Sequence, residues 1–204
     1  MNKDKEEIKS RKPNRLAGYG YSQNGMYFLT ICTKDREELL GEIKNGEMVL
    51  NELGKIVKNN LLGINNYFKN VFLDKFVIMP NHVHCIVEIN NDICRGGPCV
   101  RPDMKGQAQG CGQTQGLSLR LRQDDKQNIG LLSRVIQRFK SKSTVEYIQL
   151  MKSKNISCIT CVWQRSFYDH IIRNEKSLSK IREYIQINPR MWDCDRNNVE
   201  NIWM

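Results

Sequence analysis

The chain has no apolar run long enough to cross a membrane, and its basic opening, Met1 to Arg15, leads into no apolar segment of the kind that directs secretion. Insertion into a membrane and export are set aside on that basis, and the expected compartment is the cytoplasm. Acidic residues are in deficit. The 22 acids against 32 basic residues leave a formal charge of +10, which suits polyanionic partners because each neutralised phosphate frees a condensed counterion. Charge by itself does not separate DNA from RNA or an anionic surface. Internal repeats are missing, and so is a second Cys-x-x-Cys pair to match Cys158 and Cys161. Even with Cys94, Cys99 and Cys111 in reach of such a site, the 8 cysteines read as reduced thiols and not as a zinc site or a disulfide scaffold. Histidine is also scarce, with 3 in 204 residues, and two of the three fall in one short motif.

What is present reads as one globular domain, with 40% hydrophobic and 26% charged residues. Residues 1–18 form a basic arm, 19–193 a single domain, and 194–204 a C-terminal tail. A stretch at 91–128, holding 6 glycines and 6 glutamines with little periodicity, reads as a flexible insertion. The run Tyr27-Phe28-Leu29-Thr30-Ile31-Cys32-Thr33 is β-branched and aromatic, as strands are. Asn45-Gly46 between alternating apolar positions signals a hairpin. Asn51 is placed to cap a helix bearing Leu53, Ile56, Val57, Leu61 and Ile64. Two apolar runs, 72–79 and 83–89, flank Pro80-Asn81 as antiparallel strands or as one broken strand. Residues 129–151 carry an amphipathic helical pattern, 158–172 contain another strand, and a helix starting at Asn174 or Ser177 runs to about Asn188, where Pro189 stops it. Mixed strands and helices with a hairpin give an α+β class, helices packed on an antiparallel sheet.

Chemistry concentrates at Pro80-Asn81-His82-Val83-His84. Alternate residues of a strand share a face, so His82 and His84 can hold one divalent ion. Alone, the pair is equally well read as two ordinary strand histidines. Tyr184 and Asn188, four apart, share a helical face. If that face packs over the histidine strand, the Asn188 amide oxygen joins the ligands beside the Tyr184 phenol, and a set with open positions suits Mg²⁺ or Mn²⁺ holding phosphate oxygens. Tyrosine attack on that phosphate leaves a covalent phosphotyrosine, which conserves the bond for strand transfer. Tyr168, near His170, is the rival nucleophile, or a residue that stacks on a base. Arg134, Arg138, Lys140 and Lys142 line one face of the 129–151 helix. Of these, Arg134, Arg138 and Lys142 are assigned to phosphate contacts, together with Arg165 and Arg173, which lie beside Trp163 and Phe167 and so offer cation and stacking surfaces.

At these residues the chain resembles a known family. Pro80-Asn81-His82-Val83-His84 looks like the histidine–hydrophobe–histidine motif of HUH nucleases, and the surrounding text resembles REP-associated single-tyrosine transposases. The supporting stretches are Gly18-Tyr19-Gly20-Tyr21-Ser22, Tyr27-Phe28-Leu29-Thr30-Ile31-Cys32, the run from Val162-Trp163-Gln164-Arg165 through Tyr168-Asp169-His170 to Arg173, and Tyr184-Ile185-Gln186-Ile187-Asn188-Pro189. Together they span most of 15–193 outside the insertion. The resemblance implies a ferredoxin-like (RRM-like) fold and a divalent metal held by His82, His84 and a helix amide. It also implies Tyr184 as nucleophile on single-stranded or hairpin DNA, leaving a 5′-phosphotyrosine. A protein that only binds nucleic acid, DNA or RNA, is the competing expectation. The chain could act as a monomer or as a homodimer sharing a tyrosine between sites.

Overall fold

The computed structural model describes residues 20–92, 130–157, 161–195 and 197–198. The expected arm at 1–18 and nearly all of the insertion at 91–128 lie outside them, as do Cys94, Cys99, Cys111 and Cys158. In chain order the elements are β1 (Gly25–Cys32), β2 (Gly41–Lys44), β3 (Glu47–Leu50), α1 (Glu52–Leu62), α2 (Ile64–Tyr67), β4 (Val71–Ile78), β5 (His82–Ile89), α3 (Leu131–Ser153), β6 (Tyr168–Ile172) and α4 (Glu175–Ile187), followed by a 3-10 turn, Asn188–Cys194.

Strands β4, β5, β1 and β6 form one sheet in that order, antiparallel at every junction, while β2 and β3 make a separate hairpin. The two inner strands are the first and third of the four, the ferredoxin-like arrangement. Asn45 and Gly46 both have positive φ (53° and 75°), the backbone a two-residue hairpin turn demands. Asn51 caps α1 by accepting from the Gly54 amide at 2.9 Å. Gly54 is required for close approach: a Cβ there would lie 2.1 Å from the Leu40 carbonyl oxygen.

Strand alternation divides the sheet into two faces. Tyr27, Leu29, Ile31, Val83, Cys85 and Val87 point to one side and pack against Leu53, Val57 and Leu61 of α1 and Leu132, Val135, Ile136 and Phe139 of α3. This is the expected helical layer on the sheet. Met26, Phe28, Ile86 and Ile172 point to the other side and meet Leu178, Ile181 and Ile185 of α4, so α4 covers the opposite face. Arg182 ties α4 to β4 through two hydrogen bonds to Asp74, at 2.9 and 2.5 Å.

The strand expected within 158–172 is Tyr168–Ile172, which pairs along β1; among the described residues upstream of it there is a single bridge, between Thr33 and Trp163. The chain leaves the sheet because Trp163 turns inward: its ring lies 5.3 Å from Phe139, and its indole N–H donates to Ser143 Oγ at 3.0 Å. Trp163 is thus a core residue, not the surface stacking platform expected beside Arg165. Lys140 is likewise no surface charge. Its ammonium reaches inward to donate to the carbonyls of Gln164 and Ser166 (2.7 and 2.9 Å), and burial lowers its pKa to about 8.

Candidate active site

The site begins with a turn. The Met79 amide donates to the His82 carbonyl at 2.8 Å, pairing the chain across a two-residue connection with Pro80 and Asn81 at its corners, where the fixed φ of proline is favourable. Thr33 and Leu40 hold the turn from outside by donating to the carbonyls of Asn81 and Pro80. The chain enters β5 in a set register, with His82 opposite Cys32 and His84 opposite Thr30. Both histidines fall on the α4 side of the sheet and both are buried. That is not the fate of ordinary half-exposed strand histidines.

Burial of imidazoles is tolerable only with polar partners, and these partners set the chemistry. The Asn81 amide nitrogen donates to the carbonyls of Arg36 (3.1 Å) and Asn197 (2.7 Å), so its Oδ1 must face His82 Nδ1, 2.8 Å away. An amide oxygen only accepts. His82 therefore carries its proton on Nδ1 and presents the Nε2 lone pair to the site. His84 Nδ1 lies 2.9 Å from Thr30 Oγ1, and its Nε2 lies 3.2 Å from the Tyr184 hydroxyl. The imidazole rings sit 4.4 Å apart at 70°, with Phe28 stacked on His84 at 5.1 Å and Trp192 against His82 at 6.1 Å.

Tyr184 and Asn188 come from the end of α4. Tyr184 is 37% exposed at the lip of a cleft of about 520 Å³ that Phe28, Ile187, Asn188, Met191 and Asp195 also line. Asn188 is buried; its Nδ2 donates to Asp195 Oδ2 at 3.1 Å, and its Oδ1 has no hydrogen-bond partner among the described residues. Because a carboxylate only accepts, this bond fixes the amide and leaves Oδ1 as the free acceptor. A buried oxygen left so is costly unless a ligand completes it.

Asp195 is the residue that sequence reasoning missed. It follows the 3-10 turn, in the stretch read as a tail, and it returns to the site: its Oδ2 lies 4.0 Å from His82 Nε2, and its Oδ1 accepts from the Asn197 amide at 2.6 Å. One ligand atom each from His82, His84 and Asp195 lies within 4.8 Å of the others. Bonds of about 2.0–2.2 Å to one ion hold ligand atoms up to about 4.4 Å apart, so a small inward shift of these side chains would complete the set. Two imidazole nitrogens, a carboxylate and an orphaned amide oxygen form a donor set suited to a divalent ion, and these residues fit one.

The remaining predicted residues divide. Tyr168 pairs with Thr30 on β6, so it lies on the His84 side of the sheet and is exposed, one strand further out. Arg165 is exposed at the end of the sheet nearest His82 and Cys32, since the Gln164 amide donates to the Cys32 carbonyl. Arg173 lies beyond Ile172 at the opposite end, lining a cleft of about 390 Å³ with Tyr21, Asp169, His170 and Ser177. Arg134, Arg138 and Lys142 are not brought to the site: they face outward from α3, on the far side of the sheet. Tyr184 lies against His84 of its own chain. Among the described residues no helix is long and apolar enough to cross a membrane.

The fold is similar to that of a solved tyrosine transposase. The structure of a REP-associated tyrosine transposase bound to a REP hairpin superposes with a TM-score of 0.51, covering 87% of this chain and 73% of that one at 16% identity. A Deinococcus radiodurans chain designated a transposase aligns more loosely, with a TM-score of 0.42 over 84% of this chain and 96% of that one at 15% identity. No protein-family model matches. An uncharacterized protein of Haemophilus influenzae is 39% identical over 194 residues, spanning 95% of this chain and 96% of the relative, and the chain belongs to the same family as that protein.

Proposed function

We propose that the protein is a metal-dependent DNA strand-transferase, an HUH-type enzyme that cuts single-stranded or hairpin DNA with Tyr184 as the nucleophile. The observation that carries this reading is the Tyr184 hydroxyl 3.2 Å from His84 Nε2, at the lip of the cleft that also holds Asn188 and Asp195. The likeness in fold to a transposase bound to a hairpin supports DNA as the partner by analogy.

His82, His84, Asp195 and the Asn188 amide oxygen would hold the ion, Mg²⁺ or Mn²⁺, which when bound withdraws charge from the scissile phosphate. Asn81 and Thr30 fix the orientation of the two imidazoles so that their Nε2 atoms converge. Tyr184 lies 3.2 Å from His84 Nε2, and its partial exposure leaves room for the phenol to rotate away from a His84 that would hold the ion. The phenol oxygen then forms the bond to phosphorus as the bond to the 3′ oxygen breaks. The phenol proton is lost and the departing 3′ oxygen gains one. A 3′ hydroxyl from another strand can attack the phosphotyrosine in reverse, joining the strands and freeing Tyr184. The exposed Tyr168 and Arg165 flank this face and supply a ring and a cation for unpaired bases and their phosphates.

The test is a denaturing gel with Mn²⁺ and labelled single-stranded hairpins drawn from the flanks of the gene. The wild type is expected to carry label covalently and Tyr184→Phe to carry none. Label that persists in Tyr184→Phe and disappears in Tyr168→Phe moves the nucleophile. Hairpin binding without label in any protein leaves a binding protein only.

A further inference from the structure

The solvent side of α3 carries an arrangement that the proposed nuclease chemistry does not use. Arg134, Arg138 and Lys142 recur every fourth residue, a step of about 6 Å along the axis. They line an open groove of about 650 Å³ with Phe68, Gln137 and Ser141. The Arg138 guanidinium lies 3.8 Å over the Tyr67 ring and the Lys142 ammonium 5.0 Å from it. Lys142, hydrogen-bonded to the phenol, lowers the Tyr67 pKa, so the ring binds the cations in place instead of competing with them. Glu146 sits 3.2 Å from Lys142 and is the one acid lining the groove among the described residues. The groove therefore keeps a net positive charge.

Helix α3 and the sheet both stand between this groove and Tyr184, roughly 15–20 Å of packed structure. Nucleotides held at Tyr184 cannot touch the groove at the same time. The two faces also differ in kind. The Tyr184 face offers Tyr168 and Tyr184 to unpaired bases, whereas Tyr67, beside the groove, already has Arg138 stacked on its ring, and Phe68 packs partly into the core. A surface whose chief feature is a row of cations binds phosphates without needing the bases, which is what a duplex presents.

We infer that the outer groove of α3 is a second DNA-binding surface, which docks the phosphate backbone of double-stranded DNA without regard to sequence. This goes beyond the nuclease reading and does not depend on it. Duplex held there is spatially separate from the strand cut on the other face.

The test is duplex binding across a salt series in EDTA, so that no metal-dependent chemistry contributes. The probe is a blunt duplex with no hairpin or single-stranded end. The variants are Arg134→Ala/Arg138→Ala/Lys142→Ala and a charge-matched control, Lys34→Ala/Lys44→Ala/Lys176→Ala, with circular dichroism to establish that both fold. The groove variant is expected to lose ~10-fold or more in affinity and to flatten the slope of log K against log salt by about 2–3, close to 0.9 per lost phosphate contact. Equal losses in the control would overturn the inference, as would unchanged binding. Groove-dependent binding to anionic phospholipid vesicles with none to duplex would overturn it in favour of a membrane surface. Absence of a covalent adduct in the gel experiment would leave this result untouched, so the two proposals fail separately.

Discussion

Leu29 and Thr30 are neighbours on β1, and the sheet sends them to opposite fates. Leu29 points into the apolar layer formed by α1 and α3. Thr30 points to the α4 side and meets the ring of His84. The same division holds on β5, where Val83 and Cys85 pack in the core and His82 and His84 turn to the α4 side, beside Asp195 and Tyr184. Burial makes the Cys85 thiol inert, pushing its pKa up to about 12, while the two buried histidines are held by hydrogen bonds to Asn81 and Thr30. One face spends its burial on stability, and the other holds polar groups in fixed orientations at a cost in stability. A strand with period two can do both because adjacent residues never share an environment.

The comparison is broken most sharply by a pair of substitutions. His84→Ala should abolish the Mn²⁺-dependent adduct, a fall of about 100-fold or more as expected when a ligand that orients the reacting groups is lost, with little change in melting temperature. Leu29→Ala, one face away, should cost about 2–5 kcal/mol of stability by opening a cavity, while the fraction still folded keeps its metal affinity. Chemical denaturation and Mn²⁺ titration of both variants check this; a stability loss in His84→Ala matching that of Leu29→Ala would erase the division between faces.

Asn81 gives a smaller effect. Asn81→Ala removes the acceptor that keeps the His82 proton on Nδ1, and Mn²⁺ affinity is expected to fall by about 10–100-fold. Asn81→Asp, which restores an acceptor, should recover part of it. If alanine and aspartate behave alike, Asn81 serves the turn alone and does not position His82.

Lys140 gives the smallest. Its pKa is lowered from 10.5 to about 8 by burial, so between those values the unfolded chain binds more protons than the folded one. Stability then rises with pH across that window, by at most about 1.4 kcal/mol per pH unit. The wild type should therefore gain on Lys140→Met between pH 8 and 10.5 in parallel melting curves. A constant difference would show that the ammonium is not held in a desolvated place.

Much of the candidate site could be read from spacing. His82 and His84 share a face by strand alternation, and Tyr184 and Asn188 by helical periodicity, so each pair was legible before any fold was known. Asp195 was not, because the 3-10 turn of residues 188–194 brings the chain back over the histidines and no local period reports such a return. Trp163 misled for a related reason: an aromatic beside an arginine looks like a binding surface until α3 supplies Phe139 and Ser143 as its partners. The Arg134–Lys142 stripe was legible as a helical face, but spacing along a helix does not say which side of a sheet the helix will cover. Periodicity reports which residues go together, and tertiary packing decides where.

The account turns on Tyr184 being the residue that becomes joined to DNA. Peptide mapping of the covalent adduct by mass spectrometry, after nuclease trimming of the DNA, tests that directly. The account predicts a nucleotide 5′-phosphate on the peptide containing Tyr184 and unmodified Tyr168; a nucleotide on Tyr168, or on any other side chain, would contradict it.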